Sequence, residues 1–176
     1  MNKPIQLQMT VYTALFVALI AIGAFIVIPI GPVPIVLQNM FVLLAAIILG
    51  PRWGLACIGI YLLIGLAGLP VFSQGRSGIG HLFGPTGGYL LGYLPCVFVT
   101  ATISKKLGKK MPFDIIAMII GSLIVYAAGV PWLKVVTSMT YSKALAVGMY
   151  PFLIGDFLKI IVAAFILKSL RPVIKL

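Results

Sequence analysis

Residues 144–167 form an almost wholly apolar stretch, interrupted by Gly155-Asp156-Phe157-Leu158-Lys159. A charged side chain at membrane depth costs about 2.5–3.5 kcal/mol on insertion scales, so ionisable groups there are rare and turn toward a bundle interior. Three residues apart on a helix, Asp156 and Lys159 share a face. That requirement constrains the whole fold. Other segments must surround the pair, which becomes the floor of a pocket with those segments as its walls.

The composition supports a membrane environment. The chain is 62% hydrophobic and 9% charged, whereas a soluble domain carries roughly a quarter charged residues. The expected fold is an all-α integral membrane protein, with one domain over residues 1–176. The net charge of +11 does not imply nucleic acid, because the basic residues lie between apolar runs, as membrane orientation requires. Cys57 and Cys96 sit in apolar segments without a CxxC or metal spacing and read as small core residues.

Six apolar segments are expected, at 9–28, 34–49, 54–69, 89–103, 113–128 and 144–167. The first is too long for the core of a cleavable signal and is read as a spanning helix. Pro29, Pro32 and Pro34 forbid a helix after it. Gly50-Pro51-Arg52-Trp53-Gly54 reads as a tight turn. The long glycine-rich stretch at 68–88 reads as a lid or binding loop. A second mixed loop is expected at 129–143, with a short interfacial helix around Trp132. Pro151 removes a backbone donor and frees the carbonyl of Val147, which kinks the last segment.

Six spans put both termini on one side. Lys3, Arg52, Lys105, Lys106, Lys109, Lys110, Lys168, Arg171 and Lys175 fall on that side, and only Arg76, Lys134 and Lys143 on the other. The excess predicts cytoplasmic termini in the cell membrane and places the elaborate loops, and hence the ligand side, outside.

An ionised carboxylate offers only acceptors and an ammonium only donors. Asp156 and Lys159 together suit a small head group carrying both kinds of site, such as a urea or an amide. A structural ion pair and a proton relay are the other readings. Gly155 leaves room beside them. Gln38 and Asn39, near the outer end of the second segment, read as ligand contacts or as interhelical amide bonds. Arg76, with Gly75 beside it in the glycine-rich loop, reads as a carboxylate clamp or a solvated cation. Tyr89 reads as a ligand contact or an interfacial anchor. His81 reads as an ordinary loop residue, and Trp53 and Trp132 as interfacial belt residues. Ala14 and Ala18, with Ala21 near the same face, would let another helix approach closely, within the bundle or from a partner. A protease reading of Gly75-Arg76-Ser77-Gly78 fails because the sole histidine lies in the same loop. No Gly-x4-Gly-Lys-[Ser/Thr] is present, so the chain cannot bind ATP through a P-loop.

Five stretches carry a family likeness. They are Gly-Pro-Val-Pro-Ile-Val-Leu-Gln-Asn ending at Asn39, Leu-Gly-Pro-Arg-Trp-Gly ending at Gly54, Gly-Leu-Pro-Val-Phe ending at Phe72, Phe-Gly-Pro-Thr-Gly-Gly-Tyr ending at Tyr89, and Gly-Asp-Phe-Leu-Lys ending at Lys159. In order and spacing the chain resembles the BioY family, the biotin-specific capture subunits of energy-coupling factor transporters. The resemblance implies six helices with both ends cytoplasmic, biotin taken from outside, and partnership with a membrane coupling subunit and two ATPase subunits. It implies neither an enzyme nor a cofactor. By resemblance, Asp156 would accept from the urea N–H groups of biotin, and Lys159 would donate to the ring or brace Asp156. Ser73-Gln74-Gly75-Arg76-Ser77-Gly78 is poorer in glycine than the usual family loop, and Arg76 is the expected partner of the biotin carboxylate. Ala14 and Ala18 match the small-residue pattern for docking on the coupling subunit. Capture of another vitamin or precursor, or a lone proton-coupled carrier, are the alternative functions.

Overall fold

The computed structural model describes residues 3–29, 32–108 and 110–172. Ile30, Gly31, Lys109 and Lys175, used in the expectations above, lie outside them. The elements run α1 (Lys3–Phe25), β1 (Val27–Ile28), β2 (Ile35–Val36), α2 (Gln38–Leu66), a 3₁₀ turn (Ser73–Gly75), α3 (Ile79–Leu82), α4 (Gly87–Lys106), α5 (Met111–Thr137), α6 (Tyr141–Gly148) and α7 (Tyr150–Leu170). Among the described residues, five helical stretches are long and apolar enough to cross a membrane: α1, α2, α4, α5 and α6 with α7.

One of the five is a hairpin. Gly50 takes φ 74°, ψ −179° inside α2 and Pro51 follows it. A positive φ suits glycine, and proline is tolerated at a helix start because its missing N–H would have no partner there. The chain reverses at this point. Gln38 Nε2 lies 2.9 Å from the Tyr61 hydroxyl, whereas a straight helix would separate the two residues by about 35 Å. The expected turn and the second and third segments are therefore present, and the bundle has six helical limbs. At 1.5 Å per residue, limbs 38–49 and 51–66 measure about 18 and 24 Å, short against a hydrocarbon core of about 30 Å.

Other boundaries differ from expectation. The first helix ends at Phe25, and Val27–Ile28 pairs antiparallel with Ile35–Val36. The prolines that exclude a helix leave extended backbone, and the β-branched residues flanking them close a small ribbon. The expected loop at 129–143 is largely helical. α5 continues through Pro131 to Thr137, because this turn has a packing surface. Leu133 is fully buried, and the Trp132 indole donates to the Gly84 carbonyl at 2.9 Å. Trp132 therefore clamps the glycine-rich loop rather than forming a separate interfacial helix or a belt. The short helix is α6 instead, with the Thr140 side chain accepting from the Lys143 amide. The expected kink lies at Met149 (φ −136°, ψ −57°), and Pro151 falls in the first turn of α7.

The core lies where α4 packs against α5 and both limbs of α2, around Leu43, Ile58, Tyr61, Val97 and Met118. Large apolar side chains such as Ile22, Leu63, Leu123, Ile154 and Phe165 point outward. This is the arrangement of a bundle solvated by lipid. Cys57 and Cys96 are buried and unpaired, as expected of small core residues.

The second acid, Asp114, has a role the sequence did not disclose. It is 1% exposed. It accepts from Ser104 Oγ at 2.5 Å and from the Arg171 guanidinium, tying together the end of α4, the start of α5 and the end of α7. A hydrogen bond to a charged group contributes about 1.5–3 kcal/mol, so Asp114→Asn is expected to destabilise the protein by about that amount. Thermal unfolding of the purified variant in detergent, compared with the parent, measures it.

Candidate functional site

At the end of the bundle that carries the ribbon and the glycine-rich loop, a small cavity opens between the helices. Gln38 and Asn39 from α2, Tyr89 and Tyr93 from α4, Tyr126 from α5 and Lys159 from α7 line it, with Val33, Val36, Leu90 and Phe152 as apolar wall. The site thus combines donors and acceptors on one side with hydrocarbon on the other.

Asp156 sits on the buried stripe of α7 with Phe152, Ile160 and Ala163. It is 6% exposed, against 78% for Ile154 two positions before it. The pair therefore faces the bundle interior. Lys159 Nζ donates to Asp156 Oδ1 at 2.9 Å, and the Tyr126 hydroxyl donates to Asp156 Oδ2. Two opposite charges with further hydrogen bonds can persist in a low-dielectric interior where one alone could not. The two residues do not occupy the same space. Lys159 reaches the cavity, while Asp156 lines a smaller chamber behind it with Asn39, Ser122, Tyr93 and Tyr126. Gly155 does not line the cavity, and a side chain added there would meet no atom. The room expected from it lies away from the site, because one residue's rotation carries it off the inward stripe.

Both amides are engaged. Gln38 donates to the Tyr61 hydroxyl at 2.9 Å, and that hydroxyl donates to the Val71 carbonyl at 2.9 Å. Asn39 Oδ1 accepts from the Tyr93 hydroxyl at 2.5 Å. They act as interhelical ties and also form cavity wall. Tyr89 is buried rather than interfacial. Its hydroxyl donates to the Gly148 carbonyl at 2.8 Å, at the α6–α7 break. Its ring rests on Gly129, where an added Cβ would lie 2.3 Å from it.

Arg76 and Gly75 do not reach the cavity. They line an outer cleft that shares Pro34, Ser73, His81 and Thr86 with it. The loop carrying them is folded down by Phe72, which is fully buried. Phe72 meets Tyr61 edge-on at 5.7 Å and stacks on His81 at 5.3 Å. Its amide donates to the Arg76 carbonyl at 2.9 Å, and Gln74 and Gly75 turn the chain with φ 62° and 69°.

Several cavity-lining residues were not singled out from the sequence, among them Tyr93, Tyr126 and Phe152, and His81, read as an ordinary loop residue, joins them. It lines both the cavity and the cleft, and a ring nitrogen lies 3.2 Å from Thr86 Oγ1. Burial lowers its pKa below the ordinary 6.5, and the Arg76 charge lowers it further, so the ring is neutral at pH 7. Its only sequence signal was its place in the glycine-rich loop.

Ala14 and Ala18 are exposed on α1, remote from the cavity. With Ala21, Trp53, Ala56 and Ile60 they line an apolar groove between α1 and the second limb of α2. Among the described residues, no group of three or more His, Cys, Asp or Glu side chains is placed to hold a metal ion.

The chain matches the BioY family profile over residues 1–176. It is 38% identical over 165 residues to the biotin transporter BioY of Thermotoga maritima, covering 94% of this chain and 96% of that one. It is 39% identical over 159 residues to the probable biotin transporter BioY of Pyrococcus horikoshii, covering 90% and 93%. The fold superposes on the crystal structure of the S-component for biotin from an ECF-type ABC transporter with a TM-score of 0.92, at 32% identity, over 98% of this chain and 95% of that one. Matched along its whole length in sequence and almost its whole length in structure, the chain belongs to the BioY family.

Proposed function

We propose that this protein captures biotin at the outer face of the cell membrane, as the substrate-binding subunit of an energy-coupling factor transporter. The observation that carries the reading is the buried Asp156–Lys159 pair beside a cavity, in a chain of the BioY family. The urea of biotin has two N–H donors and one carbonyl acceptor, complementary to a carboxylate and an ammonium. Lys159 meets the ring carbonyl, Asp156 takes an N–H, and Val36, Leu90 and Phe152 flank the thioether ring. Gln38, Asn39 and Tyr89 shape the wall. The valerate chain runs toward the outer cleft, where Arg76 and the backbone at Gly75 meet its carboxylate.

The same reading sets the orientation and the partners. The Asp114–Arg171–Ser104 cluster places the end of α4, the start of α5 and the end of α7 at one end of the bundle. Lys105, Lys106, Lys110 and Lys168 belong to those same helix ends. This end is cytoplasmic by the excess of basic residues, and with it both termini. The groove of Ala14 and Ala18 docks on the membrane coupling subunit, and two ATPase subunits supply the energy. No bond is made or broken in the substrate, so the protein is a carrier subunit and not an enzyme. The whole chain acts as one membrane domain.

Biotin added to the purified protein is expected to raise its unfolding temperature, since a ligand that binds only the folded state stabilises it by mass action. Other vitamins, tested in parallel, are expected to leave it unchanged. Asp156→Asn should weaken biotin binding by about 1.5–3 kcal/mol, the contribution of a hydrogen bond to a charged group. Calorimetric titration measures this, and unchanged affinity would remove Asp156 from the site. Ala18→Leu fills the groove and should leave biotin affinity intact while reducing uptake by the assembled transporter. Normal uptake by that variant in reconstituted vesicles would rule out the groove as the docking face.

A further inference from the structure

Asp156 is the acceptor the ligand needs, yet it does not reach the cavity wall. It opens onto a small inner space, of about 10 Å³. Asn39, Tyr93 and Tyr126 line both the cavity and the chamber and so form the partition between them. Within the partition, Tyr93 is tied to Asn39 and Tyr126 to Asp156. With Lys159 on Oδ1 and Tyr126 on Oδ2, each carboxylate oxygen already has a donor. Tyr126 thus stands, with Asn39 and Tyr93, between the cavity and Asp156, and its hydroxyl is the one bonded to the carboxylate.

We propose that Tyr126 is a built-in competitor, whose hydroxyl occupies on Asp156 the position of the ligand's N–H and is displaced when the ligand binds. This deepens the biotin reading and rests on it. The physical reason lies in the empty state. A buried carboxylate with an unfilled acceptor position is costly, and a ligand-binding site must persist without its ligand. A phenol fills that position with a neutral donor of the same kind as an amide or urea N–H. A second cation in its place would hold the carboxylate too strongly to yield. The phenol also sets specificity, because only a ligand bringing its own donor compensates Asp156 for the hydroxyl it loses. A ligand head of similar shape without an N–H leaves the carboxylate short of a partner once the partition opens.

Removing the hydroxyl separates this role from that of an ordinary contact. In Tyr126→Phe the empty protein keeps an under-bonded carboxylate, while the ligand-bound state loses nothing at Asp156. The variant is therefore expected to unfold at a lower temperature when empty and to bind biotin about tenfold more tightly, the factor corresponding to one hydrogen bond to a charged group at the low end of its range. Unchanged or weaker binding by the folded variant, with biotin still bound by the parent, would overturn the competitor and leave the biotin reading standing. Failure of the parent to bind biotin would overturn both. Should the variant not fold, 3-fluorotyrosine placed at position 126 in the otherwise unaltered chain reports the same event by fluorine NMR. Its resonance is expected to shift on addition of biotin as the ring leaves the carboxylate, and an unmoved resonance in a sample saturated with biotin would overturn the proposal.

Discussion

The Asp156–Lys159 ion pair is the interaction on which the rest of the structure depends. Transfer of two charges from water to a bundle interior carries a penalty of several kcal/mol per ion, and their attraction offsets it only when the remaining hydrogen-bonding positions are filled. The architecture can be followed outward from that demand. α7 turns its buried stripe inward, α5 brings Tyr126 to the free carboxylate oxygen, and α4 and α2 bring Tyr93 and Asn39 alongside. Three phenols in one cavity wall follow from the same need. Each supplies a donor on a large apolar ring, so polar groups are satisfied without adding charge.

A second constraint is reach. The two limbs of α2 are short, but their reversal at Gly50 lets the chain arrive twice at the end of the bundle that carries the cavity. The first limb starts at the cavity with Gln38 and Asn39. The second ends beneath the glycine-rich loop, where Tyr61 holds Gln38 with one bond and the Val71 carbonyl with another. Tyr61 also borders the apolar groove with Ala14 and Ala18. One buried phenol therefore touches the cavity wall, the root of the loop and the wall of the apolar groove. A displacement at any of the three has a short covalent and hydrogen-bonded route to the others.

The sequence made much of this legible wherever the signal was local. Proline and glycine act on their own peptide units, so the break after α1, the reversal at Gly50 and the kink before Pro151 could be placed from the residues alone. Asp156 and Lys159 were legible because a charge in an apolar run is exceptional in any context. Local preference gave way where packing overrode it. Gly129 and Pro131 read as a loop, yet α5 continues through both because Tyr89 needs the space at Gly129 and Trp132 reaches Gly84. His81 looked like one more polar loop residue until Phe72 turned inward and carried it to the cavity.

By itself the sequence determined the solvent, the division into apolar runs, the likeness to the BioY family and the presence of one charge pair that had to be enclosed. These follow from transfer energies and from proline and glycine geometry, which depend on composition and on neighbours a few residues away. Only the tertiary structure decided which polar groups share a wall. It set Lys159 in the cavity and Asp156 behind it, left Arg76 in the outer cleft, and joined Tyr126 to Asp156 across 30 residues and Arg171 to Asp114 across 57. Such pairings depend on how helices pack and rotate against one another, and a rotation of one residue moves a side chain about 100° around the axis, from cavity to lipid.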